Sequence, residues 1–224
     1  MNQEHRQASS TIVETTWYHG TDSEPFQQWR IPNTNVDPID VPHSCAFFSD
    51  LASARQVGRH VCSSQLAPGT EIIIPGIATS ASAAMRRNIL SSNRLARHAQ
   101  WLSNDQVWSR AWQTGEVMRF AFNPTDPAAV HDLRVALSKT AETISKCIVS
   151  PVLTEQIVEA HAMQCLTRGW IETLIQSAKS LGFQAIYGAE IDRHTGATPV
   201  SRPWLAVTTA NVISPPNWLQ TQLI

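Results

Sequence analysis

The chain has 224 residues, 42% of them hydrophobic and 16% charged. That length carries one full hydrophobic core and is short for two, and apolar residues spread along the chain argue against disorder. With 17 basic and 18 acidic residues the net charge is -1, so the basic stripe of a dedicated duplex-DNA reader is missing, although brief contact with a nucleic acid stays open.

Residues 1–10 are polar and are expected to form a flexible N-terminus. Residues 11–19 are rich in β-branched and aromatic side chains and predict a strand, broken by Gly20-Thr21-Asp22-Ser23. Residues 24–44 hold four prolines and predict a long irregular segment or one short helix at Pro25 to Trp29; loops of that length are usually functional or mobile. Cys45 to Ser49 is a second short apolar run. Asp50 then stands as N-cap to a helix beginning at Leu51. Pro68-Gly69 predicts a turn, and Thr70 to Pro75 a strand.

Residues 80–114 look helical, with Trp101, Trp108 and Trp112 on one face, either a packed aromatic stripe or a ligand wall. Val117 to Phe122 alternates as a strand. Helices are expected near 128–146 and 151–165. Gly169-Trp170 interrupts or starts another helix that runs to about Ser180 and is capped by Leu181-Gly182. Phe183 to Tyr187 predicts a buried strand, Gly188 to Arg202 a polar loop and Pro203 to Thr208 a last strand. Val212 to Pro216 closes the domain. Short strands with helices between them fit neither a regular βαβ series nor a sandwich. The expectation is therefore one α+β domain over residues 11–224, with a helical insertion at about 80–114 and further helices at about 128–180.

The four cysteines, Cys45, Cys62, Cys147 and Cys165, lack zinc-site spacing and are read as reduced core residues. No run of 18 apolar residues exists, so no membrane span is expected. The lack of a classical signal peptide leaves a cytoplasmic location or a specialised secretion route. GxGxxG at a strand–helix junction, the P-loop, HExxH and GxSxG are all missing.

Three places are candidates for chemistry. His19 ends an apolar strand, beside Gly20, which permits close backbone approach, and Thr21, which offers a hydroxyl; an ordinary structural histidine is the alternative. Phe47 and Phe48 precede Ser49-Asp50, and an aromatic at a strand end stacks on a flat ring or packs in the core. Glu190 follows a buried strand, where a carboxylate stabilises positive charge developing on a sugar carbon or merely faces solvent.

Tyr18-His19-Gly20-Thr21, followed by Cys45-Ala46-Phe47-Phe48-Ser49-Asp50-Leu51-Ala52-Ser53-Ala54, resembles the ADP-ribosyltransferase superfamily, in its diphtheria-toxin and poly(ADP-ribose)-polymerase branch. Gly182 to Tyr187, Trp204 to Val207 and Val212-Ile213 are similar to late strands of that fold. The resemblance covers about residues 15–60 and 181–215. It implies a split antiparallel β core with inserted helices. It implies NAD as co-substrate without a metal, and transfer of ADP-ribose to an acceptor with release of nicotinamide. His19 would bond the nicotinamide-side ribose, and Tyr18, Gly20, Thr21 and Ser49 would lie at the NAD site. Phe47 or Phe48 would flank the nicotinamide.

A glutamate would stabilise the oxocarbenium-like state. Val200 to Leu205 contains none, so Glu190 is the nearest candidate and Asp192 an outside one; Glu155, Glu159 and Glu172 lie in predicted helices. NAD hydrolysis and a catalytically inactive binding or interaction module on the same fold are the alternatives. The acceptor is expected to be a protein or small molecule rather than a nucleic acid. A toxin-like bacterial effector of this kind implies an immunity or inhibitor protein as a further partner.

Overall fold

The computed structural model describes residues 15–31, 44–75, 79–92, 127–147, 154–192 and 200–220. The N-terminal tail, the stripe of Trp101, Trp108 and Trp112, and the strand expected at 117–122 lie outside the described residues. The fold is a mixed α+β arrangement with helices inserted around a seven-stranded sheet.

The strands are β1 (Thr16–Thr21), β2 (Ala46–Ser49), β3 (His60–Gln65), β4 (Ile72–Ile73), β5 (Ala185–Asp192), β6 (Val200–Val207) and β7 (Asn217–Trp218). The helices are α1 (Leu51–Val57), α2 (Ser80–Ser92), α3 (Pro127–Cys147) and α4 (Glu155–Ser180). The sheet order is β4-β5-β6-β2-β1-β3-β7. Only the edge pair β4–β5 is parallel; the other neighbours run antiparallel.

Strand alternation sorts the core into two layers. On one face Ile73, Ile186, Trp204 and Ala206 pack against Met85 and Ile89 of α2 and against Ile171, Leu174, Ile175 and Ala178 of α4. On the other face Trp17, Phe48, Leu205 and Val207 pack against Val212 and Ile213, with Trp29 and Ile31 alongside. Among the described residues, no α-helix contributes to this second cluster; Val212 comes from a short 3-10 turn, Ala210–Val212. The segment after β1 and the C-terminal stretch close it instead. Among the described residues, no helix is long and apolar enough to cross a membrane.

Local signals account for several elements. Asp50 caps α1, its carboxylate accepting the Ser53 N–H at 2.7 Å. At the end of α4, Gly182 N–H donates to the Lys179 carbonyl at 2.9 Å and Phe183 N–H to the Ala178 carbonyl at 3.1 Å. This is the Schellman pattern, and its left-handed position is Gly182, at φ 88°.

Other expectations need correction. Gly20 and Thr21 do not break β1, because both pair with β3, at Val61 and His60. Of the two forms expected after β1, the described residues 24–31 take the irregular one, and no helix forms at Pro25 to Trp29. Gly169 neither interrupts nor starts a helix. It lies within α4, whose buried apolar residues pack against α2 and the sheet, and packing of that kind outweighs a glycine cost of about 1 kcal/mol.

In the loop expected at Gly188 to Arg202, the described residues 188–192 and 200–202 are strand, with Gly188 pairing with Trp204 and Asp192 with Val200. The strand expected from Thr70 to Pro75 shrinks to an edge pair, Ile72–Ile73. β3 and β7 were not anticipated. β3 reads His-Val-Cys-Ser-Ser-Gln, and its buried positions are Cys62 and Ser64, too polar to register as apolar alternation. Of the cysteines, Cys45 and Cys62 are buried and Cys165 is intermediate, but Cys147 is exposed at the end of α3, so it is not a core residue.

Candidate functional site

The sheet changes character between β1 and β2. β1 pairs with β3 along its length, and β2 with β6, whereas β1 and β2 are joined at one pair, Tyr18 with Ser49. Beyond that pair the Phe47 carbonyl is met by a side chain: His19 Nδ1 lies 2.7 Å from it. A carbonyl can only accept, so Nδ1 carries the proton and Nε2 carries the lone pair. The ring thus satisfies a strand carbonyl. Burial lowers the His19 pKa from its ordinary value, outweighing the Phe47 bond, which pulls it upward. The imidazole is therefore neutral near pH 7, with one fixed tautomer.

A cleft of about 870 Å³ opens at this place. β1 contributes His19 and Thr21, β2 contributes Phe47, and the segment after β1 contributes Phe26, Trp29 and Arg30. The volume lies within the range of sites that enclose a small ligand or cofactor. Among the described residues no Asp or Glu lines it.

The wall formed by residues 26–30 is held from a distance. The Trp29 indole N–H is shared between Ser64 Oγ at 3.1 Å and the Ser214 carbonyl at 3.0 Å. The Trp29 ring meets His19 edge-on, with centroids 5.1 Å apart, and Phe48 at 4.8 Å. Phe26 stacks edge-on with Trp29 at 4.9 Å and with Trp218 at 5.1 Å, and Trp218 Nε1 donates to the Phe26 carbonyl at 2.8 Å. The C-terminal stretch and β3 therefore set the position of this wall. Sequence patterning did not single these residues out as a site; the available signal was a pair of aromatics, Phe26 and Trp29, inside a loop long enough to be functional.

The sequence candidates separate. His19, Thr21 and Phe47 border the cleft. Thr21 Oγ1 accepts the Ser23 N–H at 3.1 Å, which folds the chain back at the end of β1. Phe48 is 2% exposed and belongs to the core, so of the two phenylalanines only Phe47 borders the cleft, and its ring packs against Trp204 at 5.5 Å in the helix-side cluster. Tyr18 and Ser49 form the strand junction beside the cleft without lining it.

Gly20 is also absent from the lining. A Cβ placed there would stand 1.9 Å from the Ala54 carbonyl oxygen of α1, and one on Gly58 would stand 2.2 Å from the Thr21 backbone carbon. The local demand for glycine comes from α1 lying against β1, on the face opposite His19 by strand alternation.

Glu190 stands inside β5 at the register position opposite Arg202. Three strand spacings separate β5 from β1, about 14 Å across the sheet, so the backbone does not bring Glu190 beside His19. Asp192 lies further along the same strand. Glu172 acts structurally. Its carboxylate accepts the Ser44 N–H at 2.8 Å and the Ser44 hydroxyl at 2.5 Å, with Gln176 donating to it at 2.6 Å. That clamp on α4 anchors the entry to β2.

Arg202 pairs with Asp50 at 3.0 Å, each side chain largely covered. Partial burial would raise the Asp50 carboxyl, but the Ser53 N–H and the Arg202 guanidinium outweigh it and hold the pKa below the usual value. Burial pushes the Cys62 thiol up to about 11. It also raises Cys45 well above its ordinary value, assisted by the Glu172 carboxylate and opposed by Lys179. Both thiols stay protonated near neutral pH and make poor nucleophiles. Among the described residues no group of His, Cys, Asp and Glu is arranged to hold a metal ion. Comparison with protein-family models, with characterised proteins and with solved structures finds no match.

Proposed function

We propose that the cleft receives the nicotinamide-ribose half of NAD and that the protein is an NAD-dependent mono-ADP-ribosyltransferase. The observation that carries this reading is the fixed tautomer of His19: the Nδ1 bond to Phe47 leaves Nε2 unprotonated, on a residue that borders a cleft lined also by Phe26, Trp29 and Phe47. A neutral imidazole nitrogen accepts from a sugar hydroxyl, and an aromatic ring among the lining residues Phe26, Trp29 and Phe47 would stack on a planar base. Thr21, which also borders the cleft, would anchor a group nearby.

In the reaction, the bond from the ribose anomeric carbon to the pyridinium nitrogen breaks and nicotinamide leaves as a neutral molecule. The acceptor's nucleophile forms the new bond and loses its proton. His19 acts by positioning the ribose. The role of stabilising the oxocarbenium-like charge is assigned to Glu190, which requires its strand end to approach the bound sugar.

A second reading is favoured by one observation: no described carboxylate lines the cleft. On that reading the protein binds NAD, or a partner, without turning NAD over.

Nicotinamide release from NAD separates the two. Transfer predicts release by the wild type, a loss of about tenfold or more in His19→Ala and a larger loss in Glu190→Gln. Release without labelled product assigns hydrolysis. NAD binding by calorimetry with no release across protein and small-molecule acceptors assigns the binding module. Full activity in Glu190→Gln moves the charge-stabilising role to another residue.

A further inference from the structure

The cleft has one cationic side chain among its described lining residues, Arg30. It follows Trp29 directly in the chain, and the Trp29 ring lies 5.1 Å from the His19 imidazole. The two bonds donated by the Trp29 indole, to Ser64 and Ser214, fix the backbone from which Arg30 departs. Arg30 is exposed, and among the described residues it has neither an ion-pair nor a hydrogen-bond partner. Gln27 and Gln28, which supply neutral amide donors, border the same space. With no described carboxylate in the lining, the local field is positive and the guanidinium fork is free for an anion.

We infer that Arg30 binds the 5′-phosphate of the ribose whose hydroxyl meets His19, so that the cleft selects phosphorylated nicotinamide nucleotides over the free nucleoside. The inference rests on the NAD reading of the cleft and adds to it a named phosphate subsite. Its geometric basis is that both residues border the same cleft, and within one nucleotide a single ribose ring separates the hydroxyls that suit Nε2 from the phosphate that suits the guanidinium. A charge-assisted, two-pronged bond of this kind strengthens binding by about ten- to hundredfold.

The test is calorimetric titration of the full chain with nicotinamide mononucleotide, nicotinamide riboside and inorganic pyrophosphate. It is run on the wild type, Arg30→Gln and Arg30→Lys, with thermal melts to confirm folding. The mononucleotide is expected to bind wild type about ten- to hundredfold more tightly than the riboside. That preference disappears in Arg30→Gln and is partly kept in Arg30→Lys. Equal affinity of the two compounds for the wild type, or a preference that survives Arg30→Gln, overturns the inference. Pyrophosphate binding that needs Arg30, with neither nicotinamide compound bound, upholds the anion subsite and sinks the NAD reading. No binding of any of the three overturns both.

Discussion

His19 Nδ1 donates to the Phe47 carbonyl at 2.7 Å, across the place where β1 and β2 stop pairing. The ring therefore does two things: it satisfies a strand carbonyl, and it holds Nε2 unprotonated at the cleft. Burial lowers its pKa from the usual 6.5. The unfolded chain consequently binds the proton more readily than the folded one. This contribution to stability is full above pH 6.5 and is lost as pH falls through the folded value.

Urea unfolding at several pH values between about 5 and 8 should show the wild type losing stability on acidification, by at most about 1.4 kcal/mol per pH unit from this group. His19→Gln keeps an amide donor for Phe47 but cannot titrate, so its profile should be flatter. Identical slopes in the two proteins would contradict this account. Ligand binding should weaken over the same range, because protonation of Nε2 removes the acceptor.

Asp50 joins two roles in one carboxylate, capping α1 through Ser53 and pairing with Arg202 on β6. Asp50→Ala should cost about 1–2 kcal/mol, from loss of the cap and the ion pair together. Asp50→Ser retains a capping oxygen and should recover about half of that. Denaturant midpoints with a common slope decide the matter; equal losses in both variants would place the whole effect on the ion pair. The lowered pKa has its own sign: its stabilisation is present above the ordinary value of 3.8 and fades as pH falls through the folded one.

Gly20→Ala should destabilise strongly, since the new methyl meets the Ala54 carbonyl at 1.9 Å and α1 must move away. Overpacking of this kind costs about 1–3 kcal/mol. The effect should appear in the thermal midpoint without any ligand present, which separates it from a binding defect. An unchanged midpoint would return Gly20 to a purely ligand-facing role.

Gly169→Ala should go the other way. A Cβ there meets nothing within 4 Å, and the position is interior to α4. Removing a glycine from a helix interior is expected to raise stability by about 0.5–1 kcal/mol. A destabilised Gly169→Ala protein would mean that the helix bends or opens at this point.

What was legible in the sequence lies within a few residues of its own cause. The strand–cap–helix series from Ala46 through Asp50 to Val57 could be read because the apolar run, the capping carboxylate and the helix formers are neighbours. The end of α4 at Leu181-Gly182 was legible for the same reason. The mixed α+β class followed from the uneven spacing of such pieces. β3 was missed because its buried Ser64 counts as polar until Trp29, 35 residues away, donates to it.

Tertiary structure alone decided what surrounds His19. Trp29 is placed by a carbonyl 185 residues distant in the chain, and the Phe26 carbonyl by Trp218, 192 residues away. It also divided the two phenylalanines between the faces of the sheet, Phe48 packing with Trp17 and Leu205 and Phe47 with Trp204, through strand alternation that acts only once β2 is paired with β6. It assigned Gly20 to the approach of α1 and placed Glu190 three strands from β1. Capping and turn chemistry act over one helical turn, whereas pairing order and the closure of a cleft depend on contacts between distant segments. The sequence by itself therefore determined the histidine and its flanking elements, and the sheet order determined which groups stand around it.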